Sequence, residues 1–264
     1  MPYTSNADDA VQLAWAESGN PEGEPLLLVH GSALSKAVWR GMGYLAAFAA
    51  DYRVLTLDLR GHGRSGKPHE PESYRLERVV GDVLAVLDAA GVARTHYLGY
   101  SFGARTGFAL AETSPERMRS FVSVAGTYHT HPGTIAELFF ADYDEALARA
   151  GMPGFLAGWE TALGRSVDPA TRQAFLANDA QALRAYFHQV ESGVGVEETA
   201  LAGLNVPTLL LAGTQDEPRM RASLRAAELM PNAQFIALPG RGHSNTLMPS
   251  AQVLDVVLPF LAQW

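Results

Sequence analysis

The sequence predicts an α/β protein with a doubly wound, mostly parallel sheet. Short apolar runs alternate with stretches of helical spacing over most of the 264 residues. Continuous apolar runs are typical of parallel strands that are buried on both faces. A helix between successive strands gives βαβ units, which build a parallel sheet with right-handed crossovers. Ligands of such sheets bind at the carboxyl ends of the strands, so functional residues are expected there.

The first third of the chain is predicted to contain an edge strand, two buried strands and two helices. Residues 11–15 alternate apolar and polar side chains, as an edge strand does. The mainly apolar runs 26–29 and 53–58 predict buried strands. Helical spacing follows over 36–50 and over 79–90, where Gly91 provides a natural end.

Later segments repeat this alternation of strands and helices. A strand leads to residue 100 and is followed by a helix over 102–112 and a strand over 121–125. The pattern resumes after residue 204 with predicted strands over 206–213 and 234–238 and helices over 221–230 and 250–261. These elements complete the predicted sheet and its covering layers.

Between about residues 127 and 204 the strand pattern stops and the sequence becomes helical and rich in aromatic residues. The predicted helices here include 135–150 and 169–190. Each aromatic side chain is an ordinary candidate for the core of a small helical bundle. As a group they are also candidates to cover an apolar pocket, and Phe139, Tyr143 and Trp159 are the predicted substrate contacts within it.

The segment Gly99–Gly103 has the pattern Gly-x-Ser-x-Gly between a predicted strand and a predicted helix. A sharp strand-to-helix turn lifts the Ser101 hydroxyl out of the sheet, and the glycines leave room for the crossing backbone. Ser101 is therefore the candidate nucleophile. The adjacent Tyr100 is a candidate substrate contact.

A serine hydroxyl needs a neighbouring base and a group that orients that base. His243 is the best candidate base, because it follows the strand 234–238 at the same sheet edge. Asp216 directly follows the strand 206–213 and is the candidate acid, with its neighbour Glu217 as the alternative. The alternatives are that Asp216 only caps the helix that follows it and that His243 is a surface-loop residue.

Two backbone amides are expected to bind the oxyanion, those of Ser32 after the first buried strand and Phe102 at the start of a helix. His30 and His62 are predicted to pack and to bond backbone groups, and Asp58 to stabilise its turn. His129 and His131 have a spacing found in metal sites, but no cluster of cysteines or carboxylates accompanies them, so no metal site is predicted.

The composition and net charge of the chain exclude several classes of partner and of reactive group. A net charge of −8 and a pI near 5.5 argue against nucleic-acid partners and anionic membranes, because both require a basic surface. The chain has no cysteine, which excludes disulfides and thiol nucleophiles. Residues 1–10 lack the features of a signal peptide, and no apolar stretch is as long as a membrane span. A cytoplasmic location is expected.

The chain resembles the α/β-hydrolase family over most of its length. The segments 28–31, 58–65 and 99–103 resemble its oxyanion strand end, its next strand-end loop and its nucleophile elbow. Segments 213–216 and 242–243 match its acid and histidine positions, in the family's order of serine, acid and histidine.

The resemblance implies an eight-stranded core over 1–126 and 204–264, with residues 127–203 as a helical cap over the active site. A serine at position 101 is similar to the esterase, lactonase and carbon–carbon hydrolase branches. We therefore expect a cofactor-independent serine hydrolase that cleaves a small to medium, largely apolar ester or lactone. A carbon–carbon hydrolase or lyase with the same triad and a ligand receptor without turnover are the alternatives. The only expected partners are a small-molecule substrate and, if the protein is a homodimer rather than a monomer, a second copy.

Overall fold

The structure, a computed structural model, describes residues 2–193 and 195–264. Residues 1 and 194, which belong to the predicted core and cap ranges, lie outside the described residues. One sheet contains eight strands of the described chain. In chain order they are β1 Tyr3–Ser5, β2 Gln12–Gly19, β3 Glu24–Val29, β4 Tyr52–Leu57, β5 Thr95–Tyr100, β6 Met118–Val124, β7 Thr208–Gly213 and β8 Ala233–Leu238.

The strand order in space is β1-β2-β4-β3-β5-β6-β7-β8, which confirms the predicted mostly parallel α/β sheet. β1 and β2 run antiparallel to their neighbours, and every pairing from β4 to β8 is parallel. The central strands β5 and β7 are buried at every position, as their apolar runs predict. Because β3 to β8 run parallel to one another, their carboxyl ends lie at one edge of the sheet.

Ten α-helices are found in the described residues. They are α1 Ala37–Gly41, α2 Tyr44–Phe48, α3 Leu76–Ala89, α4 Phe102–Thr113, α5 Thr134–Leu138, α6 Tyr143–Leu163, α7 Pro169–Leu176, α8 Ala180–Glu191, α9 Glu217–Leu229 and α10 Ser250–Leu261. Apolar side chains fill two separate clusters, and that division is expected of a sheet covered on both faces. No helix of the described chain is both long enough and apolar enough to cross a bilayer.

Two predictions in the first third of the chain were wrong in detail. The helix predicted over 36–50 is two short helices, because Gly43 adopts the left-handed conformation with φ 84° between them. The strand predicted at the edge, 11–15, is paired on both sides as β2, and the short β1 forms the edge instead.

Helices α5 to α8 lie in the segment between β6 and β7, where the sequence predicts a helical insertion. The helices predicted over 135–150 and 169–190 are each divided. The first is divided between α5 and α6, because the backbone leaves the helical conformation at Phe139 with φ −122° and ψ −80°. The second is divided between α7 and α8, where the carboxylates of Asp168 and Asp179 accept backbone N–H groups at the helix starts. α6 also bends at Gly151, whose φ is 60°. The exact limits of a cap at 127 and 203 stay a prediction.

Candidate active site

Ser101 occupies the turn between β5 and α4 in a backbone conformation that is rare for a residue with a side chain, with φ 53° and ψ −109°. The turn is possible because its neighbours are glycines. A Cβ atom at Gly99 would lie 2.4 Å from the carbonyl oxygen of Gly103, and one at Gly103 would lie 2.2 Å from that of Val29. The glycines thus allow strand and helix to approach, and the strained turn presents the Ser101 hydroxyl.

His243 lies against Ser101 in the folded chain. Its Nε2 is 3.0 Å from Ser101 Oγ, and its Nδ1 is 2.7 Å from Asp216 Oδ2. A carboxylate only accepts, so Nδ1–H donates to Asp216 and Nε2 is left as the acceptor for the Ser101 hydroxyl. Burial lowers the pKa of His243, while its hydrogen bond to Asp216 raises it. The net shift is downward, so the ring is a neutral base near pH 7.

The two carboxylates considered for the acid position have different contacts in the structure. Asp216 stands at the start of α9 but its side chain caps no N–H there. Glu217 is exposed and forms a salt bridge with Arg221 one helical turn away. Asp216 is nearly buried and is the carboxylate that contacts His243.

The two amides expected to bind an oxyanion lie on either side of Ser101. Gly31 brings the loop that carries Ser32 close to the nucleophile turn, since a Cβ there would lie 3.1 Å from Ser101 Cβ. Phe102 is the first residue of α4, where helix N–H groups lack helical partners. In the described chain, no hydrogen bond is found from the amide of either Ser32 or Phe102. Both amides remain available to a ligand.

His30 and His62, which also lie near this edge of the sheet, bond to backbone groups of the loops around them. His30 Nε2 accepts from the Leu59 amide at 3.1 Å, and its Nδ1 lies 2.8 Å from the Gly31 carbonyl. His62 Nδ1 lies 2.9 Å from the Arg60 carbonyl. Burial lowers the pKa of both rings, that of His62 to about 3. Neither ring is placed to act as the base for Ser101.

Asp58 bonds to the backbone of neighbouring loops, in agreement with its predicted role of stabilising a turn. Asp58 accepts the amides of Lys36 at 2.7 Å and Arg64 at 3.1 Å and pairs with the Lys36 ammonium group. His129 and His131 lie in the loop after β6. In the part of the chain that the structure describes, no group of three or more metal-ligating side chains is found.

A cleft of about 460 Å³ opens beside Ser101 and His243. Three predicted substrate contacts, Tyr100, Phe139 and Trp159, line it. Tyr143 does not. It begins α6 and packs against Phe187 inside the helical insertion, with ring centroids 5.6 Å apart.

A second, smaller cavity of about 30 Å³ adjoins the other side of Ser101. We call it the arginine cavity, because the guanidinium-bearing residues Arg105 and Arg219 line it together with Ser32, Ser101 and Phe102. Tyr186 of α8 also lines it, stacks on Phe102 at 4.3 Å and accepts a hydrogen bond from Ser32 Oγ at 3.0 Å.

Sequence reasoning missed Arg219 at this site. Arg219 precedes the helix predicted over 221–230, but α9 begins at Glu217, so Asp216 and Arg219, three residues apart, lie on one face at the start of the helix. The structure puts Arg219 Nη1 3.9 Å from Asp216 Oδ1. The contact of Tyr186 with Ser32 was not predictable, because it depends on how α8 packs over the sheet edge.

Comparisons with known proteins agree with this fold. A family model described as the alpha/beta hydrolase fold matches residues 24–185. A Bacillus subtilis (strain 168) protein with the provisional name 2-succinyl-6-hydroxy-2,4-cyclohexadiene-1-carboxylate synthase is 26% identical over 253 residues, covering 89% of each chain. A Stutzerimonas stutzeri (strain A1501) protein with the provisional name carbamate hydrolase RutD is 27% identical over 92% of this chain and 93% of its own. The solved structure of an esterase from Rhodococcus sp. ECU1013 superposes with a TM-score of 0.80 at 25% identity, covering 98% of both chains.

Proposed function

The chain belongs to the alpha/beta hydrolase fold family and is an enzyme of that family, and we propose that it is a cofactor-independent serine hydrolase of carboxylic esters or lactones. The observation that carries this proposal is the unbroken hydrogen-bonded chain from Ser101 through His243 to Asp216. These three groups can activate a hydroxyl near neutral pH, because the histidine accepts its proton and the carboxylate stabilises the resulting cation.

In the acylation step, Ser101 Oγ attacks the ester carbonyl carbon as His243 Nε2 takes the hydroxyl proton. The carbonyl π electrons move to oxygen and give a tetrahedral oxyanion. The amides of Ser32 and Phe102 donate to that oxygen, and each such donor is worth roughly 10²–10³ in rate. Asp216 accepts from the His243 cation throughout the step.

The intermediate then collapses, the bond to the leaving oxygen breaks, and His243 Nε2 returns the proton to the alcohol. The acyl group stays on Ser101 Oγ. Water takes the place of the alcohol, His243 removes its proton, and the same two amides stabilise the second oxyanion. Release of the acid restores the Ser101 hydroxyl.

The cleft supports a largely apolar group on the alcohol side of the substrate. Phe139, Trp159 and Phe175 contribute aromatic surface to its wall, and Leu138 and Leu163 contribute aliphatic surface. Its volume of about 460 Å³ lies within the range of small-molecule sites. These features support a small to medium apolar substrate.

The test is steady-state hydrolysis of 4-nitrophenyl acetate and butyrate and of a γ-lactone by the Ser101→Ala variant. We expect turnover to fall by roughly 10³-fold or more with an unchanged circular dichroism spectrum. Ser192→Ala is the matched control, because Ser192 is exposed at the end of α8. An unchanged rate in Ser101→Ala would refute the proposal.

Elimination or carbon–carbon cleavage with the same triad is a second candidate, favoured by the synthase name of the Bacillus subtilis relative. In that reaction Ser101, deprotonated by His243, acts as a base or nucleophile at carbon. A panel of aryl esters set against vinylogous diketones separates the two reactions. Labelling of Ser101 without steady-state turnover of either panel would indicate a receptor instead.

A further inference from the structure

Arg105 is a buried cation that has no carboxylate partner among the described residues. It follows Ser101 by one turn of α4, and only 4% of its surface is exposed. Its guanidinium donates to Thr130 Oγ1 and to the Tyr186 hydroxyl, both at the long distance of 3.4 Å. No salt bridge to Arg105 is found among residues 2–193 and 195–264. A guanidinium has five N–H donors, so most of its hydrogen-bonding capacity is unused.

Elsewhere the same chain pairs a buried arginine fully. Arg60 is completely buried, and its guanidinium contacts Asp82 at 2.6 Å and Asp9 at 2.7 Å. A buried charge is costly unless a partner or a ligand compensates it. The rings of Phe102 and Tyr186 lie 5.2 and 5.9 Å from Arg105 Cζ and stabilise the cation in part, but unlike Arg60 it contacts no carboxylate of the described residues. An anionic group of a ligand would complete its contacts.

Arg219 adds a second positive charge at the arginine cavity. It is 7% exposed, and its nearest carboxylate oxygen is that of Asp216 at 3.9 Å, beyond hydrogen-bond distance. Asp216 already accepts from His243. Two arginines thus line a cavity of about 30 Å³. Since about 10–15 Å³ accommodates one water, this cavity has room for a group the size of a carboxylate.

The position of His243 shows which part of a substrate reaches this cavity. His243 lines the cleft and is not among the described residues that line the arginine cavity. The leaving alcohol must lie beside His243 Nε2 to receive its proton, so it occupies the cleft. The acyl group, held at Ser101 with its oxygen on the amides of Ser32 and Phe102, extends toward the arginine cavity.

We propose that the substrate is a hemiester of a short dicarboxylic acid, whose free carboxylate binds Arg105 and Arg219 while its apolar alcohol fills the cleft. This inference rests on the proposed ester hydrolysis. The carboxylate completes the hydrogen bonding of Arg105, for which planar guanidinium and carboxylate groups are well matched. It also offsets the two positive charges that lie near His243 when that ring becomes a cation.

The first experiment compares kcat/KM for monoethyl succinate and for ethyl succinamate, which replaces the carboxylate by a neutral amide of the same shape. We expect kcat/KM of the wild type to be roughly 100-fold higher for the hemiester. The neutral amide leaves buried guanidinium N–H donors without an anionic acceptor, which costs free energy in its transition state. Arg105→Met and Arg219→Gln should each lower that preference at least tenfold. Arg149→Met, which removes an exposed arginine from α6, should leave the preference unchanged.

The second experiment measures binding of succinate to Ser101→Ala protein by calorimetry and requires no turnover. We expect binding that is lost in Ser101→Ala/Arg105→Met and kept in Ser101→Ala/Arg105→Lys at reduced affinity. Equal turnover of hemiester and amide by the wild type would overturn the carboxylate assignment and leave ester hydrolysis intact. Arginine-dependent succinate binding without turnover of any ester would support the anion site and refute the hydrolase proposal.

Discussion

Replacement of Asp216 by Asn tests how the carboxylate serves the histidine. In the wild type, Asp216 Oδ2 accepts from His243 Nδ1–H at 2.7 Å and so keeps a lone pair on Nε2, 3.0 Å from Ser101 Oγ. The amide nitrogen of the replacement donates to Nδ1 and moves the ring proton to Nε2. The ring then presents a donor where the serine hydroxyl needs an acceptor.

The expected loss has two parts. A hydrogen bond between charged groups contributes about 1.5–3 kcal/mol, and its loss in the transition state lowers the rate roughly 10- to 150-fold. The reversed tautomer must also be undone before the base can act. Together we expect kcat to fall roughly 10³- to 10⁴-fold, the size of effect known for this change in a serine triad.

The assay is the initial rate on a 4-nitrophenyl ester at pH 7.5, with thermal unfolding to verify the fold. Glu217→Gln is the matched control, because it removes a neighbouring carboxylate that is exposed and paired with Arg221. Its rate should stay within about twofold of wild type, as is usual for surface changes. The reasoning is refuted if Asp216→Asn keeps more than a tenth of the activity or if Glu217→Gln loses as much.

The remaining predictions concern pH, the nucleophile turn and Tyr186. Burial lowers the pKa of His243 below 6.5, and the neutral ring is the base. We therefore expect kcat/KM to rise with pH and to reach half its plateau below pH 6.5. A midpoint above pH 7 would contradict this. Gly103→Ala should destabilise the fold by about 1–3 kcal/mol or more in urea titrations, since the new Cβ would lie 2.2 Å from a backbone oxygen. Gly41→Ala is the control: a Cβ there would have no heavy atom within 4 Å, so its stability should be unchanged. Tyr186→Phe removes the 3.0 Å bond from Ser32 and the 3.4 Å bond from Arg105 but keeps the stacking surface. On 4-nitrophenyl acetate, which carries no carboxylate, kcat should fall about five- to tenfold with KM unchanged. An unchanged kcat would show that the hydroxyl does not position Ser32.

The sheet was predictable because its signal is local. The runs that form β3, β4, β5 and β7 are apolar enough to identify buried strands without knowledge of their partners. Strand ends in a parallel sheet meet at one edge, so the contact among Ser101, Asp216 and His243 could be expected from their positions after strands. The distances among these three side chains in the structure agree with that expectation.

Other features depend on packing that the sequence does not encode locally. The conformation of Gly43 divides a predicted helix, and the pairing of the three-residue β1 has no periodic signal. Tyr143 and Trp159 are both aromatic residues of α6, yet only Trp159 lines the cleft. Which face of a helix meets the sheet edge is set by contacts distant in sequence.

The central claim is that contact with His243 makes Ser101 a nucleophile, and trapping of the acyl group tests it most directly. The protein is mixed with a slowly hydrolysed ester, quenched in acid within one turnover, digested and analysed by mass spectrometry. We predict the acyl mass on the peptide that contains Ser101, formed at least as fast as steady-state turnover and absent in His243→Ala. Ester turnover with no acyl group on Ser101, or with the adduct on another residue, would contradict the account.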